Sequence, residues 1–368
     1  FGATDIVKRC LFLVPGSADR TPLYLDQVPS GWSSVIPNWT FFWVVACQEF
    51  AAHTGDAAFA GSIWPSVRFT LSHYAEHVDD SSLLNIAGWN MLDWAPIDQP
   101  NEGIVTHQNC FMVRALRLAV KLAGQAGLER EAAESGFAEL ADRMAAAINA
   151  RLWSEEKQAY LDCIHADGTL STTFSMQSQV SAYLCDIPQD GRKAVLECYL
   201  VSPPRDFVQI GSPFMSFFYY EALARIGRYP LLLDDIRKNY GRMLEHGATT
   251  CWEMYPDYSQ NRANPQMLTR SHCHAWSAAP GYFLGKIILG VNRLDDGWRT
   301  VEVAPEPCGL KWAKGAVPLP DGGRIAVSWT ADDDGRLALR VESPASVDIR
   351  VSWPNGREGQ LEHVRIPG

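Results

Sequence analysis

Between residues 38 and 53 the apolar side chains Trp39, Phe42, Trp43, Ala46, Cys47 and Phe50 recur at steps of three and four, the period of one helix face. Asn38 is placed to cap the start of that helix, and the polar run His53-Thr54-Gly55-Asp56 stops it. Trp64, Val67, Leu71 and Tyr74 repeat the pattern over 62–77, and helical segments are further expected over 102–124, 129–152, 173–185, 190–200, 212–226, 231–245 and 273–289. Residues 85–98 break the rhythm as a loop, with Pro96 as breaker and Trp89 and Trp94 flanking Asp93. Residues 153–170 read as a short hairpin with Asp167-Gly168 in its turn. Paired helices joined by short or elaborated loops point to an (α/α)6 toroid. Nine helices are legible before residue 290 where six hairpins need twelve, so the toroid is expected to be N-terminally incomplete.

After residue 291 the period becomes two. Residues 300–305, 324–329, 336–341 and 347–353 alternate apolar and polar positions, separated by Ala331-Asp332-Asp333-Asp334-Gly335 and Ser343-Pro344-Ala345-Ser346. The reading is a small antiparallel β-sandwich over 292–368 that follows a helical domain over 1–291. Period two places Ile325, Val327 and Trp329 on one face, so Trp329 is expected to turn inward, as is Trp353.

Composition narrows the function classes. A net charge of −10 and a pI near 5.4 argue against nucleic-acid or anionic-membrane partners, and no apolar run reaches the length of a membrane span. The 13 Trp and 12 Tyr suit either an aromatic core or a carbohydrate site, where flat rings stack on sugar C–H faces. Nine cysteines, an odd number without repeating spacing, read as free thiols of a reducing compartment, so a cytoplasmic location is expected over secretion. The chain opens on Phe1 rather than Met, so the gene is expected to begin further upstream.

Nucleotide-cradling glycine loops, the Gly-x-Ser-x-Gly elbow and Cys-x-x-Cys pairs are all absent from the sequence. His272-Cys273-His274 has no second ligand cluster to join, and neither a metal nor a cofactor is expected. What remains is three loops, each carrying a polar group beside aromatic rings. Asp93 lies between Trp89 and Trp94, Glu253 beside Trp252 and Tyr255, and His274 near Trp276. Each group alone is explained by a neighbouring arginine or backbone amide. Together they outline a sugar pocket at one mouth of a toroid, and glycoside cleavage needs carboxylates of this kind. Asp93, Glu253 and His274 are therefore expected to converge.

The stretches 211–253, 271–291 and 297–329, with Thr249-Thr250-Cys251-Trp252-Glu253 and Trp312-Ala313-Lys314-Gly315 as their most specific motifs, resemble the α-L-rhamnosidases of glycoside hydrolase family 78. The likeness extends upstream through 35–56. It implies an inverting hydrolase of terminal α-L-rhamnosides on an (α/α)6 barrel followed by a β-sandwich. Carried over by motif, Glu253 matches the general base and His274 the sugar-contacting histidine of a Ser-x-x-His motif. Trp94 matches a pocket wall with Asp93 beside it, and Trp32, after Gly31, matches a further pocket tryptophan. The family's general acid lies in a motif upstream of Phe1, and Ser271-His272-Cys273-His274-Ala275-Trp276 departs from the commoner Ser-Leu-Asn-His-Tyr. An N-terminal segment of the same enzyme is thus an expected partner. Two rivals stay open: a lyase or differently selective glycosidase on the same toroid, and a non-catalytic sugar-binding fragment.

Overall fold

The computed structural model describes residues 2–189, 191–256, 269–353 and 359–366. All nine expected helical segments fall on helix. They are α2 (Pro37–Thr54), α3 (Ala57–Ala75), α4 (Thr106–Gln125), α5 and α6 (Glu129–Glu134, Phe137–Arg151), α7 (Met176–Leu184), α8 (Arg192–Val201), α9 (Pro213–Arg225), α10 (Tyr229–Glu245) and α11 (Ala279–Phe283). The segment 129–152 divides at Gly136, whose φ of 68° lies in the left-handed region. The segment 273–289 is not one helix: a 3-10 turn (Ala275–Ser277) precedes α11, and a π turn (Leu284–Ile288) follows it. A further helix, α1 (Thr4–Leu13), was not anticipated and buries only Leu11.

Local chemistry sets the helix ends. Pro37 opens α2 at a position where its missing N–H costs nothing, and Gly55 closes it at φ 69°. Asp56 then caps α3 by accepting the Phe59 N–H at 2.8 Å. α4 packs on α2 and α7, and α7 packs on α9. Every residue of α7 is buried, as are the first eight residues of α4, Thr106 to Val113. These are the inner helices, and their N-terminal ends lie together beneath the loop 85–101. Asn38 at the start of α2 reaches the Met91 carbonyl, Gln108 of α4 reaches Asn90 Oδ1, and Gln177 of α7 reaches Asp93 Oδ2.

The hairpin expected over 153–170 is two pairings. β2 (Trp153–Ser154) pairs with β3 (Ala159–Tyr160), and β4 (Cys163–His165) pairs antiparallel with β1 (Gly103–Val105). Asp167-Gly168 does sit in a turn, between His165 and Thr169.

Beyond the π turn lie two sheets. β5 (Val291–Arg293), β6 (Thr300–Val303) and β10 (Asp348–Val351) form one, in the order β10-β6-β5. β7 (Trp312–Pro318), β8 (Arg324–Ala331), β9 (Leu337–Pro344) and β11 (Gly359–Ile366) form the other, in the order β11-β9-β8-β7. The sheets are not wholly antiparallel as expected, because β10 runs parallel to β6 and β11 parallel to β9. The chain leaves β9 for the opposite sheet, makes β10 there and returns as β11, and two reversals restore the original direction. β7 carries the Trp-Ala-Lys-Gly motif and, like β5 and β11, was not anticipated; it alternates only between exposed and half-buried positions, without the fully buried face that marks β8.

Period two holds on β8, where Ile325, Val327 and Trp329 are all buried. Trp329 donates its indole N–H to the Ile288 carbonyl at 2.8 Å, and Trp353 packs half-buried against the same core. That core runs unbroken from α2 through Phe283 and Ile288 to Val341. Polar contacts reinforce the seam: Gly297 N–H and Arg293 both donate to the Ala52 carbonyl at 2.9 Å, and Trp298 Nε1 meets His53 Nδ1 at 3.0 Å.

Candidate active site

Glu253 stands on an extended segment that lies beside residues 271–274 in the opposite direction. Glu253 N–H donates to the Ser271 carbonyl and His274 N–H to the Cys251 carbonyl, both at 2.9 Å. Met254 N–H donates to Thr269 Oγ1 at 3.1 Å, and Ser277 Oγ donates to the Trp252 carbonyl at 2.6 Å. Trp276 then donates its indole N–H to the Glu253 carbonyl at 2.9 Å. The backbone of Glu253 is therefore fixed by hydrogen bonds to its neighbours before its side chain is considered.

The carboxylate itself is 7% exposed as a residue and, among the described residues, faces three groups. Trp94 Nε1 donates to Oε1 at 3.1 Å, Arg270 Nε lies 3.9 Å from Oε1, and His274 Nδ1 lies 3.7 Å from Oε2. Arg270 also lies over the Trp94 ring, with its guanidinium carbon 4.3 Å from the centroid, and the His274 and Trp276 ring centroids are 4.3 Å apart. One oxygen is thus held by an indole, while the other looks toward a half-exposed imidazole. Such a carboxylate can accept a proton from water, and the rings around it offer faces for sugar C–H groups.

The sequence placed Glu253, His274 and Trp94 together, and they are together. Asp93 needs correction. It is 1% exposed, and its carboxylate is spent on the protein. Gln177 Nε2 donates to Oδ2 at 2.7 Å, Gly211 N–H to Oδ2 at 2.9 Å and Trp94 N–H to Oδ1 at 2.8 Å. Burial raises its pKa above the ordinary carboxylate value, opposed by these donors and by Ser212. Asp93 anchors the Trp94 loop to the start of α7 and to the Gly211 amide ahead of α9.

Trp252 also needs correction. It is 4% exposed and packs with Met243 and Tyr255, its ring edge-on to His272 at 5.0 Å. Although consecutive in the chain, the two residues turn to different surroundings, Glu253 to Trp94 and His274 and Trp252 into the core. Trp32 and Trp89 are 65% and 40% exposed on adjoining loops, where Trp89 N–H meets the Val35 carbonyl; among the described residues neither contacts Glu253.

Arg270 is the group that sequence reading missed. It was hidden because few cations accompany the aromatic loops, and only the pairing of 251–253 with 271–274 brings it to Glu253. The amide supports of the loop were missed as well. Asn38 Nδ2 donates both to the Met91 carbonyl and to His107 Nδ1, each at 3.0 Å, which leaves the His107 proton on Nε2. Burial pushes the pKa of His107 down to about 3, so it is neutral.

Two family models match. The bacterial alpha-L-rhamnosidase six-hairpin glycosidase domain covers residues 1–288 and the bacterial alpha-L-rhamnosidase C-terminal domain covers residues 290–366. An alpha-L-rhamnosidase of Formosa agariphila is 22% identical over 355 residues, which are 92% of this chain and 35% of that protein. One of Alteromonas sp. is 29% identical over 147 residues, 39% of this chain and 16% of the relative. Among solved structures, the GH78 family rhamnosidase of Bacillus sp. GL1 is 66% identical with a TM-score of 0.96, over 99% of this chain and 38% of that one. A Klebsiella oxytoca rhamnosidase with rhamnose bound shares the fold, at 21% identity and a TM-score of 0.62 over 77% of this chain and 54% of that one. This chain therefore spans only about a third of the Formosa and Bacillus proteins. With both family models matched end to end along the two structural regions, the chain belongs to the bacterial α-L-rhamnosidase six-hairpin glycosidase family.

Proposed function

We propose that this chain carries the water-activating half of an inverting α-L-rhamnoside hydrolase, with Glu253 as general base. The observation that carries this reading is the fixed carboxylate of Glu253, held by the Trp94 indole at 3.1 Å on one oxygen and open toward His274 on the other. Oε2 takes the proton of the attacking water, and the oxygen of that water bonds to the anomeric carbon as the glycosidic bond breaks. Trp94, His274 and Arg270 surround the sugar and set its position. Inversion also needs a carboxylic acid roughly 6.5–9.5 Å from the base, to protonate the leaving oxygen. Asp93 does not suit that task, since its oxygens already accept protein donors. We assign the acid to a part of the longer enzyme that this chain does not span. A location in a reducing compartment is part of the same proposal, supported by nine cysteines, an odd number without repeating spacing.

The test uses the complete enzyme. Glu253→Gln is expected to lower kcat on a natural rhamnoside by about 10²–10⁴-fold, the usual worth of a general base, with KM little changed. NMR of the first-formed sugar should show inverted anomeric configuration. The 368-residue chain by itself should leave unactivated rhamnosides intact and turn over at most aryl rhamnosides, whose leaving groups need little protonation. Near-normal kcat in the Glu253→Gln enzyme would remove Glu253 from the base role.

A further inference from the structure

A second cluster of chemistry-bearing side chains lies on the far part of the loop that carries Trp94. Asp98, Cys163 and His165 bring one oxygen, one sulfur and one nitrogen within 4.8 Å of one another. His165 Nε2 is 3.0 Å from Asp98 Oδ2 and 3.7 Å from Cys163 Sγ. Cys163 and His165 are two residues apart on β4, so the pleat turns both side chains to the same side. Asp98 comes to meet them because its backbone N–H donates to Asp162 Oδ2 at 3.2 Å. Ser171 Oγ donates to Asp98 Oδ2 at 2.7 Å and stands at the same edge.

The backbone is shaped for this approach. Gly103, paired with His165 across β1 and β4, has φ 111°, and a Cβ there would lie 2.5 Å from the Ile164 carbonyl oxygen. Only glycine lets the two strands close at the point where the ligands emerge. We propose that Asp98 Oδ2, Cys163 Sγ and His165 Nε2 form a binding site for a zinc-like divalent transition-metal ion that ties the Trp94-bearing loop to the β4 hairpin.

The donor set selects the ion. Thiolate with imidazole and carboxylate suits Zn²⁺ and disfavours Mg²⁺ or Ca²⁺, which take oxygen. At Zn–S near 2.3 Å and Zn–N near 2.0 Å, tetrahedral angles put sulfur and nitrogen roughly 3.6 Å apart. The observed sulfur–nitrogen separation of 3.7 Å is nearly that distance before any ion is added. A fourth position remains for Ser171 or water, as in zinc sites with three protein ligands. Because the same imidazole nitrogen faces both the carboxylate and the thiol, the three cannot act as a relay through the two sides of the ring.

Local charge agrees. Asp98 and the buried Asp162 sit side by side, and among the described residues no lysine or arginine pairs with either. On binding, the metal–sulfur bond replaces S–H and one proton leaves to solvent, while Asp98 coordinates as the anion and His165 as the neutral imidazole. Asp98 and His165 are half-buried at the rim, which gives an ion a way in.

The experiment titrates the chelator-stripped chain with Co²⁺, a spectroscopic stand-in for Zn²⁺. One equivalent should bring the visible bands of four-coordinate Co²⁺ and a near-ultraviolet sulfur-to-cobalt charge-transfer band, both displaced by Zn²⁺. Cys163→Ser should abolish the charge-transfer band, and His165→Gln should weaken binding by about tenfold or more. Cys273→Ser, which removes the exposed thiol between His272 and His274, should leave the band intact. Circular dichroism checks that each variant folds, and Asp98→Asn, which preserves volume, gives a second route to weakened binding. Absence of a charge-transfer band in the parent chain, or its loss in Cys273→Ser instead of Cys163→Ser, would overturn the proposal. Neither outcome bears on Glu253, so the site stands or falls separately from the catalytic reading.

Discussion

Asp93 and Glu253 are both acidic residues beside tryptophans, and the sequence treats them alike. Their environments separate them. Glu253 keeps one oxygen turned toward His274, whereas the carboxylate of Asp93 accepts from Gln177, Gly211 and Trp94. Asparagine at position 93 would present an NH₂ where Gln177 or Trp94 already offers a donor, leaving buried donors unpaired. Asp93→Asn is therefore expected to destabilise the fold by about 1–3 kcal/mol, measurable as a lower urea midpoint with unchanged m-value. An unaltered midpoint would mean that the carboxylate is not the anchor described here. Sequence could reveal Glu253 because a lone acid among aromatic residues is unusual. It could not reveal which of two such acids turns inward, because that depends on Gln177 of α7 and Gly211 ahead of α9, more than 80 positions away. Arg270 was illegible for a similar reason: its partners Trp94 and Glu253 are set by loop pairing, which leaves no periodic trace.

At the scale of elements, periodicity carried most of the fold. Three-and-four spacing located the helices, and period two located β8 and β9. The failures fall where a segment buries little of its surface or where packing breaks its repeat. α1 buries one side chain, β7 is largely exposed, and the helix expected over 273–289 is broken by 3-10 and π turns that tertiary packing imposes. The start of α3 at Ala57, ahead of the 62–77 expected, is set by its cap Asp56. Its carboxyl lies below the usual carboxylate range, first because the Lys8 ammonium donates to it at 2.7 Å and then because the Phe59 N–H does. A depressed carboxyl contributes stability that is fully present above its unfolded pKa and is lost as pH falls through the lower, folded value. Asp56→Ala should cost about 1 kcal/mol at neutral pH. That cost should shrink as the pH falls below roughly 4, the range of an unperturbed aspartate. Denaturant melts of both proteins across pH would show it; a cost independent of pH would assign the effect to packing instead of the cap.

Over the whole molecule the two regions share one core, and the seam is closed by Trp329 on Ile288 and by Gly297 and Arg293 on Ala52. Two independent cores would unfold separately; a shared core couples them. Thermal unfolding of the chain is expected to give a single transition, coincident by near-ultraviolet and far-ultraviolet circular dichroism. Trp329→Phe, which leaves the Ile288 carbonyl without its donor, should lower that one Tm rather than split it. Two resolved transitions would show that the sandwich folds on its own.

The loop that carries Trp94 is strapped at Asn90, Met91 and Asp93 by side chains from the starts of α2, α4 and α7 and by the Gly211 amide just ahead of α9. Those straps tighten when the helices dock, long before any ligand arrives. The entropy of ordering the loop is therefore spent in folding and not in binding. A ligand meeting the Trp94–Glu253 pair should be captured with little rearrangement of the loop and released at a rate set by its own contacts. Evolution of a new specificity on this scaffold has freer material in exposed Trp32 and Trp89, whose side chains carry no such straps among the described residues.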